Sequence, residues 1–411
     1  MIRKIYIENF RSIRHENLEL GKITVLTGAN NSGKSSIMYG LMVLQDFVFN
    51  PNQTLEELFA LPFINLGGFE DVKSKEYTPS LEEGFIRLGI TVDADKFGHG
   101  RTKYRIALGK NRTFLDLSFY NDKMQTEASL NIGLPYVANT IGNFKAWYKK
   151  GKGEALYNWN GFQAQIMPLM SSMLESDTND LKDGINSPIN AFSTTDFIPV
   201  SRGFTKPYYN LVPMTGIINT EEEIATMLKT ENRANTLGMV NHYLEEIAER
   251  TIELPSNGTP GLFSLKAKNT KTGQSNFLVN EGSGTNQLVT ILAKTFQYNK
   301  RFTCIDEPEI HLHPSMVRKL ANAFVDIATD MGEHQFLVST HSEHFVQALL
   351  ANVAQGKIKP DDVKIYHLTM TEEGTRVEAQ QVNEKGQVEG GLSHFYASEI
   401  ADLKSMFKLV D

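Results

Sequence analysis

The stretch TGANNSGKSS, residues 27 to 36, constrains this chain more than any other. Gly28, Gly33, Lys34 and Ser35 fit the pattern G-x-x-x-x-G-K-[ST]. An apolar, β-branched run, KITVLTG, leads into it. The run KSSIMYGLMVLQDFVF follows, with Ile37, Leu41, Leu44 and Val48 at helical spacing. Strand, glycine-rich loop and helix in that order define a phosphate-binding loop on an α/β scaffold. Glycines let backbone N–H groups approach an anion, and the helix N-terminus adds the positive end of its dipole. Lys34 can reach the outer phosphates of a nucleotide, and the Ser35 hydroxyl can ligate Mg²⁺. The candidate nucleotide-binding set is Gly28, Asn30, Asn31, Ser32, Gly33, Lys34, Ser35 and Ser36.

Three later stretches supply what a bound nucleotide would need. RFTCIDEPEIHLHP runs through apolar residues into Asp306 and Glu307. Asp306 would help to hold Mg²⁺, and Glu307 would polarise an attacking water. An exposed acidic turn is the bland alternative, and the loop at 27–36 tips the balance. FLVSTHSEH places His341 after another apolar strand, where an imidazole could hydrogen-bond a phosphate or the water. In VNEGSGTNQLVTIL, Gly282, Ser283 and Gly284 open an apolar-periodic helix and offer a second anion-binding N-terminus. A plain glycine-rich helix start is the competing reading.

Composition narrows the class. The 411 residues are 41% hydrophobic and 22% charged, with net charge −7, an ordinary globular balance that disfavours a wholly basic nucleic-acid binder. The single cysteine, Cys304, lies in an apolar run and is expected to be a buried, reduced thiol, which points to the cytoplasm. The N-terminus lacks the apolar core of a signal peptide, and no run is long enough to span a membrane.

Periodicity predicts strands at IRKIYIENF and ITVLTG. Three more runs, GFIRLGITVDAD, KYRIALG and RTFLDLSFY, suit an antiparallel sheet. Residues 50–80 read as loop and short helix. Residues 125–195 carry weak periodicity, residues 219–251 read as one or two amphipathic helices, and FSLKAKNTKTGQSNFLV reads as a hairpin. From 285, helix and strand alternate, which predicts a mostly parallel sheet covered on both faces. The tail VKIYHLTMTEEGTRVEAQQV reads as a hairpin. The expectation is one α/β chain with a mixed sheet core, an antiparallel β lobe and a helical insert. Its nucleotide-binding core would lie at 1–50 and 270–365, its inserted β/helical region at 51–269 and its C-terminal tail at 366–411.

IENFRSI, GANNSGKSS, EGSGTNQL, IDEPEIHLHP and VSTHSEHF, in this order, resemble the ABC-type P-loop ATPases, on the RecF/SMC/OLD-like branch. The resemblance is specific over about 100 residues, at 1–45 and 280–345. It implies an ATPase head that uses ATP and Mg²⁺. ATP would be sandwiched in a homodimer, with the P-loop of one copy facing the signature segment of the other. Binding would close the dimer and hydrolysis would reopen it. Asn31 stands where many relatives have glycine, EGSGTNQ departs from the usual L-S-G-G-Q signature, and His313–Pro314 replaces the usual pair after the Walker B strand. No glutamine marks a Q-loop, although LGGFEDV (66–72) stands where one would lie. DFIPVSRGFTKPYY and NEKGQVEGGLSHFYASEI also resemble segments of stand-alone prokaryotic relatives.

Other signals were weighed and set aside. His311, His313, His341 and His344 could be imagined around a transition metal, but nucleotide chemistry already accounts for their surroundings. FKAWYKKGKGEALYNWNGF and KFGHGRTKYRIALGKNR mix basic and aromatic residues, so DNA is a candidate target, although a solvated surface is the commoner outcome. OLD-family nucleases carry a TOPRIM domain after the ATPase, and none is expected in the residues given after His341. The expected output is therefore an ATP-driven switch acting on DNA or signalling to a separately encoded effector, in repair or antiphage defence. The alternatives are an ATP-gated scaffold that sequesters a protein and, less well matched, a transporter subunit.

Overall fold

The computed structural model describes residues 1–50, 53–75, 84–93, 100–110, 113–121, 126–134, 140–148, 151–159, 164–168, 175–214, 218–230, 235–330, 334–389 and 391. Between 121 and 181 it describes the course of the backbone alone. The chain divides into two compact units. The first comprises Met1–Leu20, Asn31–Thr195 and Thr369–Val377, and the second Gly21–Asn30, Asp196–Leu368 and Glu378–Asp411.

In the first unit, the alternation in IRKIYIENF buries Ile5 and Ile7 and turns Lys4, Tyr6 and Glu8 to the other face of the strand Ile2–Phe10. That strand lies near the edge of a nine-stranded sheet. The spatial order is Ala164–Pro168, Gly151–Trp159, Thr140–Tyr148, Thr126–Leu134, Thr113–Asn121, Gly100–Leu108, Ile86–Asp93, Ile2–Phe10 and Ile13–Glu19. Every neighbouring pair is antiparallel. The predicted antiparallel lobe is present and is larger than periodicity indicated, because residues 126–168 add four strands. The helix Lys34–Phe49 packs beneath, and a Cβ on Gly40 would stand 3.2 Å from Ile7 Cδ1.

The helix Glu175–Ser193, unmarked by periodicity, contains Pro188. Proline has no N–H to give the carbonyl four residues back. That carbonyl, on Gly184, instead accepts from the hydroxyls of Thr102 at 2.5 Å and Ser187 at 2.7 Å. Gly184 also lies flush against Phe119, 2.3 Å from where a Cβ would stand. This helix is thereby fixed to the sheet by a compensated defect.

The second unit is built on three strands buried from end to end: Ile23–Thr27, Phe302–Asp306 and Gln335–Ser339. Strands covered on both faces read as continuous apolar runs, as these do. The sheet order is Thr195–Ile198, Phe302–Asp306, Gln335–Ser339, Ile23–Thr27, Val363–Thr371 and Gly374–Gln380. The four middle strands are parallel. The helices Ser283–Thr295, Pro314–Asp330 and Glu343–Ala354 fall where the alternating pattern predicts them. Phe324 stacks on Phe336 with centroids 4.4 Å apart, and Cys304 is buried in the core. The 219–251 stretch forms two helices, Glu221–Thr230 and Thr236–Ala248. The predicted hairpin pairs Lys266–Asn269 with Ser275–Phe277. Among the described residues, no helix is long and apolar enough to cross a membrane.

Candidate functional site

Parallel strands bring their carboxyl ends to one edge of a sheet, where α/β folds place their chemistry. Here the register pairs Asp306 with Ser339 and Ser339 with Leu26, and the Thr340 N–H donates to the Leu26 carbonyl at 2.9 Å. Gly28–Asn30, Asp306–Glu307 and Thr340–His341 therefore leave the same edge of the second unit's sheet. Gly28–Asn30 stand roughly 280 to 310 residues before the other two pieces in sequence.

Asp306 is buried, and the Ser339 hydroxyl donates to its Oδ1. Glu307 starts the turn with φ of 48°, a left-handed conformation unusual for a residue with a side chain. Its N–H donates to the Ser339 carbonyl at 3.0 Å. Its carboxylate Oε1 lies 3.2 Å from His341 Nε2, so the structure pairs the two residues assigned to water activation and phosphate sensing. Glu309 braces the next loop, accepting the His341 N–H at 2.6 Å. Burial pushes the Glu309 carboxyl above the usual range, although these hydrogen bonds oppose the shift.

A residue that periodicity did not single out closes the cluster. The Arg202 guanidinium donates Nη1 to the carbonyls of Pro199 at 2.8 Å and Asp306 at 2.7 Å, and Nη2 to the Glu307 carbonyl at 2.7 Å. Burial lowers its pKa to about 10, while the charges of Glu309, Asp306 and Glu307 work the other way. Arg202 stood in a stretch noted only for its resemblance. Its partners on Asp306 and Glu307 are about 105 residues away, and no local spacing could have shown them.

The loop itself has the backbone that phosphate binding needs. Gly28 takes φ of 136°, Asn31 63° and Gly33 105°. Asparagine is a residue type that tolerates the left-handed region Asn31 adopts. Gly33 caps the helix Lys34–Phe49 in the left-handed conformation. Asn31–Ser36 belong to the first unit. Lys34, Ser32 and Ser36 are buried, and Ser32 Oγ makes no hydrogen bond. Glycines in the left-handed region before a helix N-terminus suit phosphate oxygens. Beneath the loop, the Thr375 hydroxyl bonds the Ser32 carbonyl at 3.0 Å and Ser12 Oγ at 2.7 Å. A Cβ on Gly33 would stand 2.3 Å from Thr375 Oγ1. Thr375 was also missed, since it arrives from the far end of the chain.

The signature candidates divide. Gly282 and Ser283 are exposed at the start of the helix Ser283–Thr295, whose N-cap carries no side-chain bond. Gly284 is buried, and a Cβ there would meet the His311 carbonyl oxygen at 2.5 Å. Close packing alone requires that glycine. His313 Nδ1 pairs with the Ser315 hydroxyl at 2.8 Å, and no group of three His, Cys, Asp or Glu among the described residues is placed to hold a metal. Gly67 and Gly68 of LGGFEDV lead into the short helix Phe69–Val72. Parts of the basic stretches (94–99, 111–112, 149–150 and 160–163), residue 390 and residues 392–411 lie outside the described residues.

Residues 1–183 and 171–346 match a family model described as "AAA ATPase domain". An "ATP/GTP phosphatase" of Helicobacter pylori (strain ATCC 700392 / 26695) is 22% identical over 375 residues, 85% of this chain and 87% of that protein. Among solved structures, the SMC head domain from Thermotoga maritima aligns with 93% of this chain and 99% of its own, at 13% identity and TM-score 0.42. An SmcHead bound to the C-winged helix domain of ScpA aligns with 93% and 98%, at 12% identity and TM-score 0.47.

Proposed function

The chain belongs to the AAA ATPase domain family, and from that membership we propose that it is a Mg²⁺-dependent ATPase working as a conformational switch. The observation that carries this reading is the meeting, on one sheet edge, of the loop's first residues with Asp306, Glu307 and His341. Backbone N–H groups of Gly28–Ser36 and the Lys34 ammonium hold the phosphates. Mg²⁺ would supply neutralisation of the phosphate charge, and Ser35 and Asp306 each offer it an oxygen ligand. Glu307 takes a proton from a water whose oxygen bonds to the terminal phosphorus, while the bond from that phosphorus to the leaving nucleoside diphosphate breaks. His341 orients the Glu307 carboxylate. The left-handed turn at Glu307 sets the direction of that carboxylate, and Pro308 stiffens the turn. Because the Helicobacter relative is named for ATP and GTP, both nucleotides belong in the assay.

In this reading two copies close around ATP, with the exposed Gly282–Ser283 helix start of one capping a nucleotide held by the other. Closure then acts on DNA or on a separately encoded effector, in repair or antiphage defence. That last step follows from family analogy rather than from residues.

The test uses Glu307→Gln, which should keep nucleotide affinity and lose hydrolysis. Light scattering of this variant with ATP and Mg²⁺ should show a monomer becoming a dimer, and wild type should release phosphate. A mass indifferent to ATP would remove the sandwich and leave Gly282 and Ser283 without a role across copies. A nucleotide-dependent dimer that retains a protein but shows no salt-sensitive DNA binding would favour the scaffold.

A further inference from the structure

Residues 196–204 touch both halves of the chemistry in the second unit. At one end of this strap, Arg202 forks onto two successive carbonyls, those of Asp306 and Glu307. A planar guanidinium fixes both directions at once, which a point charge cannot do. The next residues reach the signature helix. The Phe204 N–H donates to Asn286 Oδ1 at 2.7 Å, and Asn286 Nδ2 donates to the Phe204 carbonyl at 2.8 Å. Gly203, at φ of 127°, makes this approach without strain, with Asn286 Oδ1 3.0 Å from where a Cβ would stand. The far end of the same helix is also tied down. Lys294 Nζ lies 3.0 Å from Asp196 Oδ1 and donates to the Phe197 carbonyl at 2.9 Å. The helix Ser283–Thr295 and the turn bearing Glu307 thus share one strap through direct hydrogen bonds.

We propose that Arg202 is a positioning residue for Glu307, and that the strap Asp196–Phe204 conveys displacement of the helix Ser283–Thr295 to the Glu307 turn. An anion seated at Gly282–Ser283 pulls on Asn286, Phe204 follows, and the Arg202 fork re-aims the two carbonyls that set the Glu307 backbone. Hydrolysis is thereby linked to what occupies the signature segment. The proposal rests on the reading of Glu307 as the hydrolytic carboxylate.

The experiment measures ATP hydrolysis and fluorescent-nucleotide binding for Arg202→Ala, Arg202→Lys, Asn286→Ala and the double alanine variant. For Arg202→Ala, kcat should fall about 100-fold, the scale of an ångström of misplacement, with nucleotide affinity held within about 3-fold. Arg202→Lys should not recover the loss, because an ammonium cannot span both carbonyls. Added guanidinium at low millimolar concentration should raise the kcat of Arg202→Ala and leave Glu307→Gln inactive. Asn286→Ala should also lower kcat while sparing KM, and the double variant should be no worse than Arg202→Ala by more than about 2-fold, since both act on one path. An Arg202→Ala kcat near wild type, loss of binding in parallel with kcat, or multiplicative effects in the double variant would each overturn the proposal. If Arg202→Ala does not fold, Arg202→Lys and Asn286→Ala decide by the same criteria. Full hydrolysis by Glu307→Gln would sink the functional reading and this proposal together. An inactive Glu307→Gln beside a fully active Arg202→Ala would sink this proposal alone.

Discussion

His334 offers a quantitative check on how the second unit is packed. It stands just before the strand Gln335–Ser339, with Nε2 2.8 Å from Thr303 Oγ1 and its ring 4.6 Å from that of Phe336. Burial pushes its pKa down to about 3, and the charge of Arg301 adds to the shift. An unfolded histidine titrates near 6.5. The folded value is depressed, so the unfolded chain binds the extra proton across the window between about pH 3 and 6.5. The stability contributed is complete above pH 6.5 and is lost as pH falls. With RT ln(1 + 10^(6.5 − pH)), the loss is about 1.4 kcal/mol at pH 5.5 and about 2 kcal/mol at pH 5. Glu16, pushed up to about 7 by burial, slopes the other way over the same range, and Glu309, also raised, contributes with the same sign as Glu16. The informative quantity is therefore the difference between wild type and His334→Phe, from urea unfolding at pH 7.5 and pH 5. Wild type should lose about 2 kcal/mol relative to the variant on that step. A difference that stays flat within about 0.5 kcal/mol would show that burial does not hold His334 neutral, and the packing argument would be wrong.

Lys34→Ala should weaken nucleotide binding by about 100-fold in a fluorescence titration, since it removes the cation facing the outer phosphates. Unchanged affinity would withdraw that assignment. Gly33→Ala should lower the melting temperature, because alanine at φ of 105° is strained and its Cβ would press on Thr375 Oγ1. Combining it with Thr375→Ala should recover part of the loss, and a melting temperature indifferent to both changes would contradict the described contact. Asp196→Ala should cost about 3–5 kcal/mol in urea by leaving Lys294 buried and unpaired, whereas Asp196→Leu with Lys294→Met should cost less. Equal losses would show that the pair is not coupled.

The second unit was readable because its signals are local. Ile23–Thr27, Phe302–Asp306 and Gln335–Ser339 are apolar runs, and each ends in residues whose type already declares a role. Gly28, Lys34, Asp306, Glu307 and His341 could be picked out for the same reason. The strands at 126–168 escaped because glycine, asparagine and lysine interrupt their alternation, and only pairing to already formed strands makes them a sheet. The helix Glu175–Ser193 escaped because Pro188 argues against a helix, and the compensating hydroxyl comes from Thr102. Arg202, Glu309 and Thr375 escaped for a related reason. Each acts on backbone carbonyls or N–H groups far away in sequence, and backbone groups carry no residue type to read.

The strand Ile23–Thr27 also shapes how the chain must be made. Its partners begin at Phe336 and Val363, some 310 to 340 positions later in the chain. At typical synthesis rates of about 5–20 residues per second, roughly 15 to 60 s pass before the first of those neighbours exists. Through that interval a five-residue apolar strand has both edges open. The growing chain thus presents a segment suited to chaperone capture or to mispairing with another copy. The strands Gln335–Ser339 and Val363–Thr371 relieve it, so a truncated product lacking them would be the species to look for in aggregates.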